Sequence, residues 1–251
     1  MKKLLFLFLL LLPASIFSQP DLISIQQSWI DSLKTGQSLS SFYWESRNLT
    51  YTRITTSDSE SLIQLSRSEQ IKGLGSYEHI QTFKHDKYRF ITVGTLDNNT
   101  ESMILLTGWR DVDGSWKKEI DLILTHEADL FELDEEISNS LNDRRFDWVK
   151  LANQHDPQQH IKALYTADAM YFSNGQKSEG REQIIDRYAY MENPNYQVDL
   201  EKEQLWHVSK GQVLEIGRYF TGAERVGNGG LYVILWENVK NQWMIELDFN
   251  F

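Results

Sequence analysis

The sequence predicts an α+β protein built from two tandem copies of one module, behind an amino-terminal export signal. Two observations support this class. A tryptophan-containing hairpin occurs twice at constant spacing, and in each copy the helical patterns come first and a run of strands follows. Helices followed by an antiparallel meander indicate the α+β class rather than alternating βαβ units.

The repeated segments share the pattern W-x6-W-x-x-E-[IL]-D-[LF]. One runs from Trp109 to Leu122 and the other from Trp236 to Phe249. Both tryptophan pairs are offset by the same 127 residues (109 to 236 and 116 to 243), and Tyr43 parallels Tyr165 more loosely. Fixed self-similarity indicates a repeat. We therefore interpret 20–125 and 128–251 as two copies.

The first residues have the form of a secretory signal peptide. Met1-Lys2-Lys3 is basic, Leu4 to Leu12 is apolar, and small residues follow. The apolar run is shorter than the roughly 20 residues that a spanning helix needs. We expect cleavage after Ser18, so that 1–18 is the signal and the mature chain is secreted or periplasmic; an uncleaved anchor is the alternative.

The composition excludes several functional classes. The formal net charge is −11, which disfavours binding to nucleic acids and to anionic membranes, so neither is expected as a partner after signal cleavage. There is no cysteine, which removes disulfides, thiolate nucleophiles and cysteine zinc sites. No metal-binding or phosphate-binding motif is present, and no cofactor or metal is predicted.

Periodicity and turn signals place the elements of each copy. In the second copy we expect a helix ending near Gln154, helices at 157–165 and 180–191, and strands at 169–173, 196–208, 211–221, 230–238 and 242–250. In the first copy we expect helices near 21–34, 39–46 and 67–73, and strands near 77–85, 88–96, 102–110 and 115–124. The acidic stretch 127–136 is interpreted as the linker and the first turn of the next helix.

Two motifs of the second copy resemble a known family. Residues 163–169 (A-L-Y-T-A-D-A) resemble the A-L-Y-x-x-D-A signature of NTF2-like (SnoaL-like) domains, and 180–184 (G-R-E-Q-I) is similar to the family's helix start. The resemblance covers most of 130–251; the first copy is degenerate, with Ser46 at the signature aspartate. It implies a tandem of cone folds, each a curved antiparallel sheet packed on helices with a pocket in its mouth. Such folds carry both enzymes and binding modules.

Two residues are candidates for acid/base catalysis. Asp168 matches the signature aspartate, which the resemblance places in the pocket; alternatively it is a corner residue that accepts backbone N–H groups. His207 lies on a late strand and is a candidate base, but without a recognisable orienting partner it also suits a structural role.

Four residues are candidates for ligand contact. Strand alternation places Arg218 on one face with Leu214 and Ile216, where a guanidinium needs an anion or carbonyl; it could instead reach water at the strand end, or pair with Glu246 or Asp248. The other three candidates are Tyr171, Ser173 and Trp236. Ser173 matches the general-base position of ketosteroid-isomerase-like members, where a serine cannot take up a proton unaided, and Trp236 is also a natural core residue.

The motif carboxylates are expected to be structural. Glu246 and Asp248 are predicted to share a strand face with Met244 and Asn250, opposite Ile245 and Leu247. Paired carboxylates can perform acid/base chemistry. They recur as Glu119 and Asp121 in the degenerate first copy, however, which favours a structural role such as facing water or pairing across the two modules.

Three functions remain open on the sequence. The leading hypothesis is a binding protein for a small, partly apolar ligand in the second cone. The alternatives are a SnoaL-type acid/base enzyme, and a structural module whose two copies dock sheet-to-sheet as an intrachain pseudo-dimer. The last arrangement leads us to expect a monomer.

Overall fold

The computed structural model describes residues 21–44, 49–53, 74–98, 102–125 and 133–251. The predicted signal peptide, the helix expected at 67–73, Ser46 and the amino-terminal part of the acidic stretch lie outside the described residues. Within these ranges, no helix is long and apolar enough to cross a membrane.

The first half contains one helix and five strands. After helix α1 (Leu22–Lys34) and a short 3₁₀ turn (Ser40–Phe42), the strands are β1 (Leu49–Arg53), β2 (Leu74–Lys84), β3 (Arg89–Asn98), β4 (Ser102–Val112) and β5 (Ser115–Thr125). Strand β1 was not predicted from the sequence.

The second half contains three helices and six strands. The helices are α2 (Glu135–Ala152), α3 (Pro157–Leu164) and α4 (Gly180–Arg187), the last followed by a 3₁₀ turn (Ala189–Glu192). The strands are β6 (Tyr165–Ser173), β7 (Gln176–Glu179), β8 (Val198–Ser209), β9 (Gln212–Thr221), β10 (Gly229–Val239) and β11 (Gln242–Asn250). Strand β7 was missed, and β6 begins four residues before the predicted strand because Tyr165 starts the strand instead of ending the helix.

Local sequence accounts for the element boundaries. Asp156 caps α3 by accepting the Gln159 backbone N–H at 2.9 Å, as the Asp-Pro pair predicts. Asp134 caps α2 in the same way. Strands β10 and β11 are joined at Lys240 and Asn241, whose positive φ values are those of a tight hairpin turn.

The two sheets share the order of five strands, and the second has one additional edge strand, β7. The first is ordered β1-β5-β4-β3-β2 and the second β7-β6-β11-β10-β9-β8. In each, the last strand of the half pairs in parallel with an early strand, β1 with β5 and β6 with β11, and the meander is antiparallel. Helices packed on two such sheets confirm the predicted α+β cone class.

The long helices bury matching positions. In α1 and α2 the buried side chains recur at i, i+4, i+7 and i+11. They are Leu22, Gln26, Trp29 and Leu33 in α1, and Leu141, Arg145, Trp148 and Ala152 in α2. This spacing keeps one helix face against the concave side of its own sheet.

A β-bulge interrupts the last strand of each half. In β11, Leu247 pairs with Leu235 while Ile245 pairs with the next residue, Trp236, so that Glu246 is the extra residue. In β5, Glu119 occupies the same place. One extra residue reverses the facing of the side chains beyond it. The predicted faces of β11 were therefore wrong: Asp248 shares the helix-facing side with Ile245, and Leu247 lies on the other side.

The sheets pack against each other through their opposite faces. One continuous apolar cluster joins side chains from both sheets. It includes Ile91, Ile104, Leu106, Ile120 and Leu122 of the first half and Trp206, Leu214, Ile216, Leu247 and Phe249 of the second. Each sheet is thus covered by helices on one face and by the other sheet on the other.

A tyrosine-rich cavity in the second half

The concave side of the second sheet encloses a cavity of about 310 Å³. This volume lies at the lower end of the range of small-molecule sites. Seven aromatic side chains dominate its wall: Trp148, Tyr171, Tyr188, Tyr190, Tyr196, Tyr219 and Tyr232. The rest of the wall includes Ser173, Val198, Leu200, Ile234, Asp248 and Asn250.

Asp248 is the charged group of the described cavity wall. It is 2% exposed, and its Oδ2 accepts hydrogen bonds from the hydroxyls of Tyr165 and Tyr188, both at 2.6 Å. Trp148 Nε1 donates to the Tyr165 oxygen at 3.3 Å. Both donors act on Oδ2, and among the described residues no group donates to Oδ1. The side of Asp248 that faces the cavity is therefore available to a ligand.

Burial dominates the electrostatics of this carboxylate. It raises the pKa of Asp248 from 3.8 to about 6, against the opposing hydrogen bonds of Tyr165 and Tyr188. Burial also raises the pKa of both tyrosines well above 10, so their hydroxyls remain donors at neutral pH. Asp248 is accordingly an anion at pH 7 that loses its charge in mildly acidic solution.

A separate ion pair fixes the neighbouring wall. Glu215 on β9 is fully buried and accepts from Arg145 of α2 through Nε at 2.6 Å and Nη2 at 3.0 Å. Tyr232 and Trp236 also donate to it, at 2.6 and 2.8 Å. With four donors, Glu215 is saturated. This cluster positions Tyr232 in the cavity wall and anchors α2, while Glu215 and Arg145 themselves are not among the lining residues.

The equivalent place in the first half is closed by a lysine. Asp121 accepts Lys118 Nζ at 3.0 Å on both oxygens, Thr107 Oγ1 at 2.6 Å on Oδ1, and the Tyr43 hydroxyl on Oδ2. Lys118 is fully buried, 3.5 Å from the ring centre of Trp29. Burial lowers its pKa to about 8, so that it remains largely charged at pH 7.

The structure separates the predicted site residues. Tyr171 and Ser173 line the cavity, and Trp236 lies behind it on Glu215. Asp168 is exposed on β6, and neither it nor His207 is among the lining residues. The buried Nε2 of His207 has no hydrogen-bond partner among the described residues. The two candidates for catalysis therefore do not meet at this site.

Arg218 lies on the opposite side of the sheet from the cavity. Its face was predicted correctly, since Leu214 and Ile216 lie on the same side, but that side faces the first sheet. Its partners are Glu203 and the backbone oxygen of Lys84 at 3.1 Å, instead of Glu246 or Asp248. Arg218 thus ties the two halves together and is outside the cavity.

The structure also resolves the expected roles of the motif carboxylates. Glu119 is fully buried and is paired with Arg89 at 2.9 Å and Arg110 at 3.0 Å, so that it neither faces water nor pairs across the two modules. Glu246 accepts from Gln212 at 2.9 Å. Asp248, by contrast, is the residue that sequence reasoning undervalued. The sequence contained a signal for it. The aspartate recurs as Asp121 in the first copy, whereas Ile245 stands at the position where the first copy has Lys118.

Comparisons with known proteins give likenesses of fold. No family model matches the chain, and no curated protein matches it. Among solved structures, it is similar to an NTF2-like protein of unknown function from Shewanella oneidensis, with 17% identity over 46% of this chain and 96% of the other and a TM-score of 0.38.

The chain is also similar to two further solved structures. A ketosteroid isomerase-like protein from Erwinia carotovora atroseptica is 13% identical over 47% of this chain and 96% of its own, with a TM-score of 0.38. A putative scytalone dehydratase from Novosphingobium aromaticivorans is 13% identical over 45% and 81%, with a TM-score of 0.37. The site assignment rests on the geometry of this chain alone.

Replacing Lys118 tests the closed first cone. Lys118→Met leaves the buried Asp121 without its cation and is expected to lower the free energy of unfolding by about 3–5 kcal/mol, measured by urea denaturation. The double variant Lys118→Met/Asp121→Asn removes both charges and should recover most of that loss. An equal loss of unfolding free energy in the single and double variants would contradict the role of Lys118 as the counter-ion of Asp121.

The pH dependence of stability tests the burial of Asp248. Its pKa is higher in the folded state, which therefore retains the proton between about pH 4 and pH 6, and the contribution of Asp248 to stability falls as pH rises through that window. Asp248→Asn removes this dependence. The stability of the variant relative to the parent should rise by up to about 3 kcal/mol between pH 4 and pH 7, by urea denaturation. A pH-independent difference would show that Asp248 is not desolvated.

Proposed function

We propose that this is an exported binding protein with an NTF2-like fold that holds a small, partly apolar ligand in the second cone. The observation that carries the proposal is the tyrosine-walled cavity with one buried carboxylate whose Oδ1 no described donor contacts. Mostly aromatic walls with a few orienting polar groups are typical of small-molecule sites.

The asymmetry between the halves favours the second cone. The first uses its own Lys118 and Thr107 to satisfy Asp121. At the matching positions the second has Ile245 and Ile234, which cannot donate to Asp248. A ligand that supplies the missing interactions would complete the second cone, whereas the first is complete without one.

An acid/base enzyme is the second candidate. The raised pKa of Asp248 inside a cavity favours it, since perturbed carboxylates cluster at catalytic sites. Against it, the described lining offers no second carboxylate or histidine to act as the complementary acid or base. Binding is therefore the better-supported function.

The proposal includes export and an intrachain pseudo-dimer. Export is supported by the pattern of residues 1–18. Duplication is supported by the shared strand order and by the repeated bulges. Because each sheet covers the other within one chain, we propose a monomer whose internal packing takes the place of a dimer interface.

A thermal-shift screen tests ligand binding. The probes are small amphipathic compounds that are neutral, cationic or anionic. A bound probe at about 100 times its Kd should raise the unfolding midpoint by roughly 5–10 °C. Leu200→Trp, at a half-buried lining position, should abolish the shift by filling the cavity. Arg218→Ala, outside the cavity, should retain it. No shift with any probe, or a shift that survives Leu200→Trp, would refute the proposal.

A further inference from the structure

The two cones place one aspartate in the same position and satisfy it differently. Asp121 and Asp248 each follow a bulged glutamate and lie on the helix-facing side of the last strand. Each accepts a tyrosine hydroxyl, from Tyr43 in the first half and from Tyr165 in the second. The comparison of their remaining contacts indicates what the second cone lacks.

The first cone contains a complete ammonium site. The ammonium of Lys118 bridges both oxygens of Asp121 at 3.0 Å and lies over Trp29, with Tyr43 and Trp109 within 6 Å. A carboxylate combined with aromatic faces is the combination that stabilises a desolvated ammonium group. This chain therefore already holds one buried ammonium by a carboxylate and aromatic rings.

The second cone keeps the carboxylate and the aromatic groups, but no described cation is paired with Asp248. Ile245 replaces Lys118 at the same bulge position, and Trp148 takes the helix position of Trp29 and lines the cavity. No lysine or arginine is among the described lining residues. Two basic groups lie behind this wall: Arg187 donates to the Ser173 backbone oxygen at 3.5 Å, and Arg145 is paired with the buried Glu215.

We infer that the ligand of the second cone is a small organic cation, a primary amine or a quaternary ammonium compound, whose charged group lies between Asp248 Oδ1 and the surrounding aromatic rings. This inference rests on the proposed function and names its ligand class. An anionic ligand would meet the buried carboxylate without any lining cation to offset the repulsion. A neutral ligand would leave the Asp248 charge uncompensated.

The shape of the cavity suits such a ligand. Five of the lining tyrosines (Tyr171, Tyr188, Tyr190, Tyr196 and Tyr219) supply aromatic rings that can pack on the methyl or methylene groups of an alkylammonium ion. Ser173 and Asn250 lie on the same wall and provide hydrogen-bonding groups for a polar tail. The volume of about 310 Å³ admits a compact ligand and not a long chain.

A matched pair of probes tests the inference on the unmodified protein. Choline and 3,3-dimethylbutan-1-ol have nearly the same shape and differ in the charge of the central atom. By isothermal titration at pH 7.5 (roughly 1.5 units above the pKa of Asp248), we expect choline to bind at least about tenfold more tightly. Equal or tighter binding of the alcohol would overturn the inference and leave ligand binding intact. Binding of neither probe, with no hit in the wider screen, would overturn both.

Two variants locate the cation. Asp248→Asn should reduce choline affinity about tenfold or more and leave the affinity for the alcohol unchanged. Ile245→Lys should place an intrachain ammonium at the site, as Lys118 does, and abolish choline binding, whereas the size control Ile245→Met should retain it. Unchanged choline affinity in Asp248→Asn would overturn the inference, and circular dichroism of each variant establishes that it is folded.

Discussion

A carboxylate on the helix-facing side of the last strand is the constraint on which the rest of the second half depends. Asp248 reaches that side because Glu246 is inserted as a bulge, which reverses the facing of the residues beyond it. The same insertion directs Leu247 and Phe249 toward the first sheet. The one extra residue thus places Asp248 at the cavity and, at the same time, Leu247 and Phe249 between the two sheets.

The two halves stabilise the buried carboxylate of the last strand in different ways. A buried carboxylate needs a cation or several donors, since its desolvation is costly. In the first half Lys118 and Thr107 complete the hydrogen bonds of Asp121. In the second half two tyrosine hydroxyls stabilise one oxygen, and the cavity lies beside the other. The raised pKa of Asp248 reflects this incomplete compensation.

The sequence predicted the class and most elements because their signals are local. Capping by Asp156, the Lys240-Asn241 turn and the repeated tryptophans each act within a few residues. Of the four predicted ligand-contact residues, Tyr171 and Ser173 lie at the cavity, since β6 forms one of its walls.

Two errors at the site have different physical origins. A bulge inside β11 is not visible to a period-two pattern, so Asp248 was assigned to the wrong side relative to Ile245 and Leu247. For Arg218 the alternation was correct, but both faces of β9 are covered by apolar neighbours. Which face lines the cavity depends on the packing of the second sheet against the first, and this is a long-range contact.

In the proposed complex, a bound cation lies beside Asp248 in the second cone, as the ammonium of Lys118 lies beside Asp121 in the first. The most direct measurement is the crystal structure of the protein with (2-bromoethyl)trimethylammonium, in which anomalous scattering locates the bromine. We expect one bromine site inside the second cavity, with the ammonium group beside Asp248 and Trp148, and no bromine site in the first cone. A bromine found only outside the cavity, or an ammonium group directed away from Asp248, would contradict it.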